Sequence, residues 1–412
     1  MATKMNLLRR LAAIAALLLC AAACKYPYDI TLEDGEYPLV VDGDILIGAV
    51  TTIRFSYAQP LNQNQDLSFG YPYSSSSFIY ISQTTNPVGY IEGEDGTRIE
   101  GTDPTGQPYS SILGMWSQLQ FDTRGLRTDQ RYRLVCSIDD GHKLESDWLE
   151  VCPAPVIDDL SYWKNDQFDE LHIGLSMHCN GAHHFRWTYN EDWEYHSDLS
   201  ASVVFEPRKG ISVGGGDYYY CWSHTDAADI QIFSTENQIE DRFEELSFRR
   251  IDLTDRRLQM LYRMTLQLSA LSPDAYNYWR TIRQNTQEQG SLFAPTPSEM
   301  ASNVHCTNER DYLILGYLNA GAVATAQMYY DNDVEHFYIP PRGGYYKRED
   351  FEIDLKYDFM LAAYNSGWLP WHAVYGMGVE PTGYIWVRDV CIDCTKSGGS
   401  KNKPADWPND HK

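Results

Sequence analysis

The sequence predicts a mainly β protein: an N-terminal immunoglobulin- or fibronectin-like sandwich, then a larger β-rich domain with one packed α-helix. Three observations predict it. Aromatic residues make up 13% of the 412 positions, Tyr alone 30 of them, and such rings favour sheets. From Tyr37 onward, short apolar runs are broken by turn residues. No fixed-period repeat recurs, which argues against solenoids and propellers.

The first 23 residues read as a secretory signal. Lys4, Arg9 and Arg10 precede an apolar stretch over 11–23. That stretch is too short to cross a bilayer, which takes roughly 20 apolar residues. Ala21, Ala22 and Ala23 stand directly before Cys24, as lipoprotein processing requires, although leucine is commoner than alanine at position 21. Cys20 is a poorer acceptor because Leu19 before it is bulky. Residues 1–23 are therefore expected to be cleaved, Cys24 lipidated, and 24–36 to form a linker. Several acyl chains, at about 0.8 kcal/mol per buried CH₂, would hold a soluble body on a membrane. Loss of three basic residues with the signal takes the net charge from −24 to −27. So acidic a body excludes nucleic-acid binding by counterion release.

The first domain is expected over 37–152. Strands are predicted at 39–47 and 78–81, with a polar loop over 59–77 between them. Residues 132–136 and 144–151 flank Asp140-Gly141, the turn chemistry of a two-residue hairpin. Residues 125–134 resemble the approach to a late strand of an immunoglobulin-like sandwich. Pro153 and Pro155 stiffen the chain and mark a boundary.

The second domain, 153–412, opens with alternating segments at 171–177 and 185–189. Gly214, Gly215 and Gly216 form a turn and lack the spacing and lysine of a phosphate loop. Leu258, Met260, Tyr262, Met264, Leu266 and Leu268 recur at every second position, which predicts a long strand with one buried side. A helix is predicted over 273–289, with Ser272 as N-cap, Pro273 first and Gly290 closing it. Ala275, Tyr276, Trp279 and Ile282 would pack on a sheet. Further strands are expected at 313–330 and 384–390.

Candidate chemistry is sparse. His178, Cys179, His183 and His184 invite a metal, yet Asn180-Gly181 between them reads as a hairpin end, and no second ligand cluster accompanies them. No metal or other cofactor is expected. Trp368 and Trp371 form either a sugar-stacking platform or a buried aromatic corner. His224 and Asp226 lie near Ser223, but no nucleophile elbow surrounds a serine. Paired acids such as Asp139-Asp140, Asp158-Asp159 and Glu244-Glu245 are common in so acidic a chain, and a glycosidase needs two carboxylates set across a cleft, which spacing in sequence does not show. Seven cysteines remain after Cys20 and Cys24, an odd number that leaves at least one thiol unpaired. Cys391-x-x-Cys394 has no second CxxC for a zinc knuckle and reads as a structural clip.

The tail Cys391-x-x-Cys394, Gly398-Gly399 and Pro404-x-x-Trp407 strongly resembles the ending of a lipoprotein family of the Bacteroidota without an assigned activity. Cys221-Trp222, residues 230–235, 271–279, 292–298 and 302–304, and Leu315-Gly316-Tyr317 continue the resemblance over most of the mature chain. Ala405-Asp406 and the extension after Trp407 depart from it. The resemblance supplies no catalytic residues and implies no enzyme. It implies outer-membrane lipoproteins encoded beside TonB-dependent receptors as accessories of nutrient uptake. By family pattern, Cys221 and Cys306 are the first-choice disulfide, with Cys391–Cys394 second.

The expected function is a non-catalytic, lipid-anchored binding subunit. Its partners would be a membrane, a TonB-dependent receptor, and a peptide or glycan ligand. An envelope adhesin or assembly lipoprotein is the alternative, and a surface polysaccharide hydrolase the third. Which face of the outer membrane it occupies is left open by Lys25-Tyr26-Pro27-Tyr28, which lacks an acidic run.

Overall fold

The computed structural model describes residues 38–57, 86–104, 109–111, 114–138, 141–214, 218–227, 229–286, 302–339 and 350–408. The signal, Cys24, the linker, the 59–77 loop and the 78–81 strand lie outside them. Among the described residues no helix is long and apolar enough to cross a membrane.

The chain is mainly β, as expected. Near the N-terminus a pair of sheets face each other across one core. One contains Leu39–Asp42, Val50–Tyr57 and Gly114–Asp122, the other Val88–Gly93, Tyr132–Ser137 and Lys143–Ser146. Leu39, Val41, Ile53, Phe55 and Phe121 from the first meet Ile91, Leu134 and Leu144 from the second. Leu39–Asp42, Val50–Tyr57 and Tyr132–Ser137 alternate buried and open positions, so burial follows the pleat in them. Tyr132 is fully buried, and its hydroxyl donates to the Arg127 carbonyl and accepts from the Arg127 amide, both at 2.9 Å. That bond pins the chain just before the strand, in the manner of a tyrosine corner.

Three expectations need correction here. Residues 39–47 are two strands, not one, because Gly43 turns the chain at φ +148. A side chain at Gly43 would meet the Thr52 carbonyl oxygen at 2.6 Å. Ile45–Ile47 then leaves the first sheet and pairs in parallel with Ala320–Asp331. The hairpin after Tyr132–Ser137 is wider than two residues, since Ile138 and His142 still pair across it, and residues 139–140 lie outside the described residues. Val151–Cys152 leaves that hairpin and also joins Ala320–Asp331. The boundary expected at 152/153 is not a boundary in space. Val304–Cys306 and Ile314–Leu315, from far downstream, complete the two N-terminal sheets. Gly316 follows at φ +128, packed so closely on Val41 that a β-carbon would collide with the Val41 carbonyl. Backbone cannot yield there as a flexible side chain would, so glycine at 316 is a steric requirement.

The centre of the molecule is a seven-stranded sheet. Its long strands are His184–His196, Leu261–Ala270 and Ala320–Asp331, flanked by Tyr220–Asp226 and Gln231–Ser234. A three-stranded sheet, Val156–Lys164, Glu170–His178 and Arg242–Asp252, covers one face. Leu171, Ile173 and Leu175 meet Tyr262, Met264, Leu266 and Leu268 there. The two-residue period across 258–268 is thus real, but the strand starts at Leu261. Arg256–Leu258 is a 3₁₀ turn capped by Asp255. The helix Pro273–Thr286 forms, with the Ala275 amide donating to Ser272 Oγ at 3.2 Å, while 287–289 and Gly290 of the expected helix lie outside the described residues. Leu271, Ala275 and Trp279 pack with Ile232 at the sheet edge.

A small C-terminal module was not foreseen beyond its last strand. Asp350–Asp354, Pro381–Arg388 and Trp368–Tyr375 form a three-stranded sheet beside the hairpin Val203–Glu206 and Gly210–Val213. The helix Tyr357–Asn365 packs Met360 and Ala363 against Ile353, Phe205 and Trp386. Two short helices, Asn332–Glu335 and Asp389–Ile392, bring the described α-helices to four, where the sequence predicted one.

Candidate polar cleft on the central sheet

Strand His184–His196 divides its residues sharply. Phe185, Trp187 and Tyr189 point to the covered face and pack in the core. Arg186, Thr188, Asn190 and Asp192 point the other way, because successive side chains alternate. Register extends this polar face sideways. Ser269, Gln267, Thr265 and Arg263 stand opposite Arg186, Thr188, Asn190 and Asp192 in turn. Thr325, Gln327 and Tyr329 continue the rows on the next strand, and Asp226 and His224 on the other side. A sheet face normally becomes apolar when another layer covers it. This one is hydrophilic over four strands.

The rows open into a cleft of about 590 Å³ between the central sheet and the N-terminal pair of sheets. Thr188, Asn190, Thr265, Gln267 and Ser269 line its floor, and Asp42, Asp44, Thr52 and Arg54 one wall. Among the described residues, the side chains of Thr188, Asn190 and Gln267 have no hydrogen-bond partner. Gln327 donates to Thr265 Oγ1 at 3.1 Å. At the inner end, Arg186 Nη1 donates to Asp44 Oδ2 at 2.7 Å, and its guanidinium lies 3.7 Å from the Trp279 ring centroid. Asp44 is 7% exposed and its Oδ1 is buried without a partner. Burial raises this carboxyl above the ordinary aspartate value, although Arg186 opposes the shift.

The opposite end is closed by charge and by the C-terminal tail. Asp192 accepts from Arg263 Nη2 at 2.7 Å and lies 2.7 Å from His224 Nδ1. His224 Nε2 lies 3.3 Å from Asp226. The Asp192 carboxylate holds the His224 imidazole above its ordinary value, with a smaller opposing effect of burial. Arg263 also donates to the Ala405 carbonyl at 3.1 Å and sits over the Trp407 ring. The Trp407 indole N–H donates to Glu194 at 3.0 Å. Pro404-x-x-Trp407 is therefore a plug over this end of the polar face. Gly398 takes φ +87 to end the 3₁₀ turn Cys394–Ser397. At Gly399 a β-carbon would lie 2.6 Å from Cys221 Cβ, so only glycine fits.

The disulfide differs from both expected pairings. Cys221 bonds Cys394, with Cα atoms 5.8 Å apart, and both are fully buried. Cys306 stands on Val304–Cys306 in the N-terminal sheets, opposite Leu144, and its thiol is free. Cys391 lies in the short helix Asp389–Ile392, while Cys394 reaches strand Tyr220–Asp226. The bond thus ties the C-terminal module to the central sheet.

The remaining sequence candidates do not converge on a site. Trp368 meets Phe351 edge-on at 4.5 Å and carries Arg388 over its ring at 4.3 Å. Trp371 donates its indole N–H to the Ser200 carbonyl at 3.2 Å. Trp368 lines a separate hollow of about 1020 Å³ with Phe205, Tyr218 and Tyr364. His178 pairs with Asp158 at 2.8 Å, Cys179 is buried, and His184 stacks on Tyr276 at 4.5 Å. Burial lowers the His184 value. Among the described residues no cluster of His, Cys, Asp and Glu could hold a metal ion.

Sequence reasoning missed the cleft. Its only signal was the run of polar residues at 263, 265 and 267, whose counterparts on other strands lie about 40 to 80 residues away and share no local pattern. Residues 25–327 match the family model described as Domain of unknown function (DUF4249). A search of the curated proteins finds no match.

Proposed function

We propose that this chain, which belongs to the DUF4249 family, is a lipid-anchored accessory binding protein of a TonB-dependent nutrient uptake system in the bacterial outer membrane. The observation that carries the binding role is the outer face of the central sheet. A cleft whose floor includes the Asn190 and Gln267 amides and the Thr188 hydroxyl, without partners among the described residues, offers hydrogen bonds to a ligand. The resemblance of the tail to Bacteroidota lipoproteins and the processing motif at Cys24 support the envelope setting. Tethering raises effective concentration beside a transporter, so a weak protein interface suffices for delivery.

Cells fed labelled palmitate are expected to label the wild-type chain and not Cys24→Ala. The wild type should also co-purify with a TonB-dependent receptor in mild detergent. Labelling that survives Cys24→Ala, or a chain that sediments with no membrane fraction, would rule out a lipid anchor at Cys24.

An adhesin or assembly role has one observation in its favour. Asp354 stands opposite Gly383 and Tyr375 opposite Pro381, so Leu355 and the 376–380 loop share one end of the C-terminal module. Leu355, Tyr375, Met377 and Val379 are all exposed there. An apolar tip of this kind suits a protein partner.

A further inference from the structure

The chemistry of the polar cleft distinguishes among the ligands that a binding surface there could take. A sugar ring offers an apolar C–H face that an aromatic ring holds well. Among the described residues lining the cleft the one aromatic is Tyr189, whose ring packs inward beside Phe248 at 5.8 Å. Among the described residues the lining thus lacks the stacking surface a glycan would use. Its charges are unequal as well. Asp42, Asp44 and Asp226 line it against Arg54 and Arg186. Arg186 is already committed to Asp44 and Trp279, which leaves the Asp42 and Asp226 carboxylates against Arg54. Asp226 has His224 as its neighbour at 3.3 Å. The chain as a whole carries −24, so a cation is drawn toward the cleft and an anion repelled.

The floor completes the pattern. Amides at Asn190 and Gln267 and hydroxyls at Thr188 and Thr265 both donate and accept, as a peptide backbone does. The geometry points to a short peptide with a positive charge as the ligand of this cleft. Its ammonium or guanidinium group faces the open Asp226 carboxylate, and its backbone lies along the Thr188–Asn190 and Thr265–Gln267 rows. This assignment of ligand class rests on the reading of the outer sheet face as the binding surface.

Isothermal titration with trilysine, trialanine, triglutamate and maltotriose tests it. Trilysine should bind about tenfold more tightly than trialanine, and triglutamate not measurably, since one well-placed charge pair is worth about 1.4 kcal/mol. Asp226→Asn, at an exposed position, should weaken trilysine alone. Gln267→Trp, which fills the floor, should abolish binding of both neutral and basic peptides. Maltotriose binding that Gln267→Trp abolishes, without trilysine binding, would overturn the ligand class and leave the surface standing. Trilysine binding indifferent to Gln267→Trp would be charge attraction elsewhere on the body, and would overturn both. Binding of no probe would overturn the peptide assignment.

Discussion

Glu191→Ala is expected to destabilise the protein by about 3–5 kcal/mol, the usual cost of removing one partner from a buried ionic cluster. Glu191 is 1% exposed, in the core between the central sheet and the three-stranded sheet that covers it. It accepts from Arg249 Nε at 2.8 Å, Arg257 Nη1 at 2.9 Å and the Tyr262 hydroxyl at 2.8 Å. Two guanidinium groups and a phenol thus converge on one carboxylate. Burial, and then the Glu191 charge, push the Tyr262 phenol well above its ordinary value. Alanine leaves two positive charges facing each other, three-quarters buried, with no anion between them. Glu191→Gln should cost less, because the amide oxygen still accepts. Replacing Glu191, Arg249 and Arg257 together by methionine should recover much of the loss, since the penalty lies in the unpaired charges. Urea unfolding of the four proteins checks the order. Glu191→Ala within 1 kcal/mol of wild type would show that the cluster is solvated and not a buried unit.

Cys394→Ser is expected to cost about 2–5 kcal/mol, near the upper end because the bond closes a loop spanning 173 positions. Long loops have the most unfolded-state entropy to lose. The local consequence is sharper than the global one. Ser400 exchanges both backbone hydrogen bonds with Trp222, at 2.7 and 2.9 Å, one residue from the disulfide. Gly399 fills the space beside Cys221, and Trp407 follows on Glu194. Without the bond this tail is held by non-covalent contacts alone, those of Arg263 and Lys401 among them, and limited proteolysis should cut it between 395 and 408 before the rest of the chain. Cys306→Ser should leave both melting temperature and tail intact, because its thiol is free in the N-terminal sheets. Loss of stability in Cys306→Ser with none in Cys394→Ser would restore the Cys221–Cys306 pairing that this fold excludes.

Where burial follows a local period, the residues announced it. Alternation at Tyr262, Met264, Leu266 and Leu268 locates the central strand, and the Ser272-Pro273 start locates the main helix. The strand at 184–196 was legible only to Tyr189. Beyond it Glu191, Asp192 and Glu194 look like solvated acids, and each is buried. Their partners are Arg249, Arg257 and Arg263, some 60 to 70 positions away, and Trp407, more than 200 away. No window of sequence contains such pairs. The same distance hides the cleft, whose floor is assembled by the register of three strands and whose wall comes from Asp42 to Arg54. Cysteine spacing misled for a related reason. Proximity in sequence favoured Cys391 for Cys394, but a helical turn directs Cys394 alone onto Cys221.

The binding role depends on the outer face of the central sheet being the ligand surface. The most direct measurement is equilibrium binding of a panel of fluorescent peptides and oligosaccharides to wild type and to Thr188→Trp. Thr188 is exposed on that face, so an indole there fills the cleft without entering the core. Each ligand held one-to-one by the wild type is expected to lose about tenfold or more in affinity, at an unchanged melting temperature. Affinity that survives Thr188→Trp, and falls instead in Trp368→Ala of the C-terminal module, would contradict it.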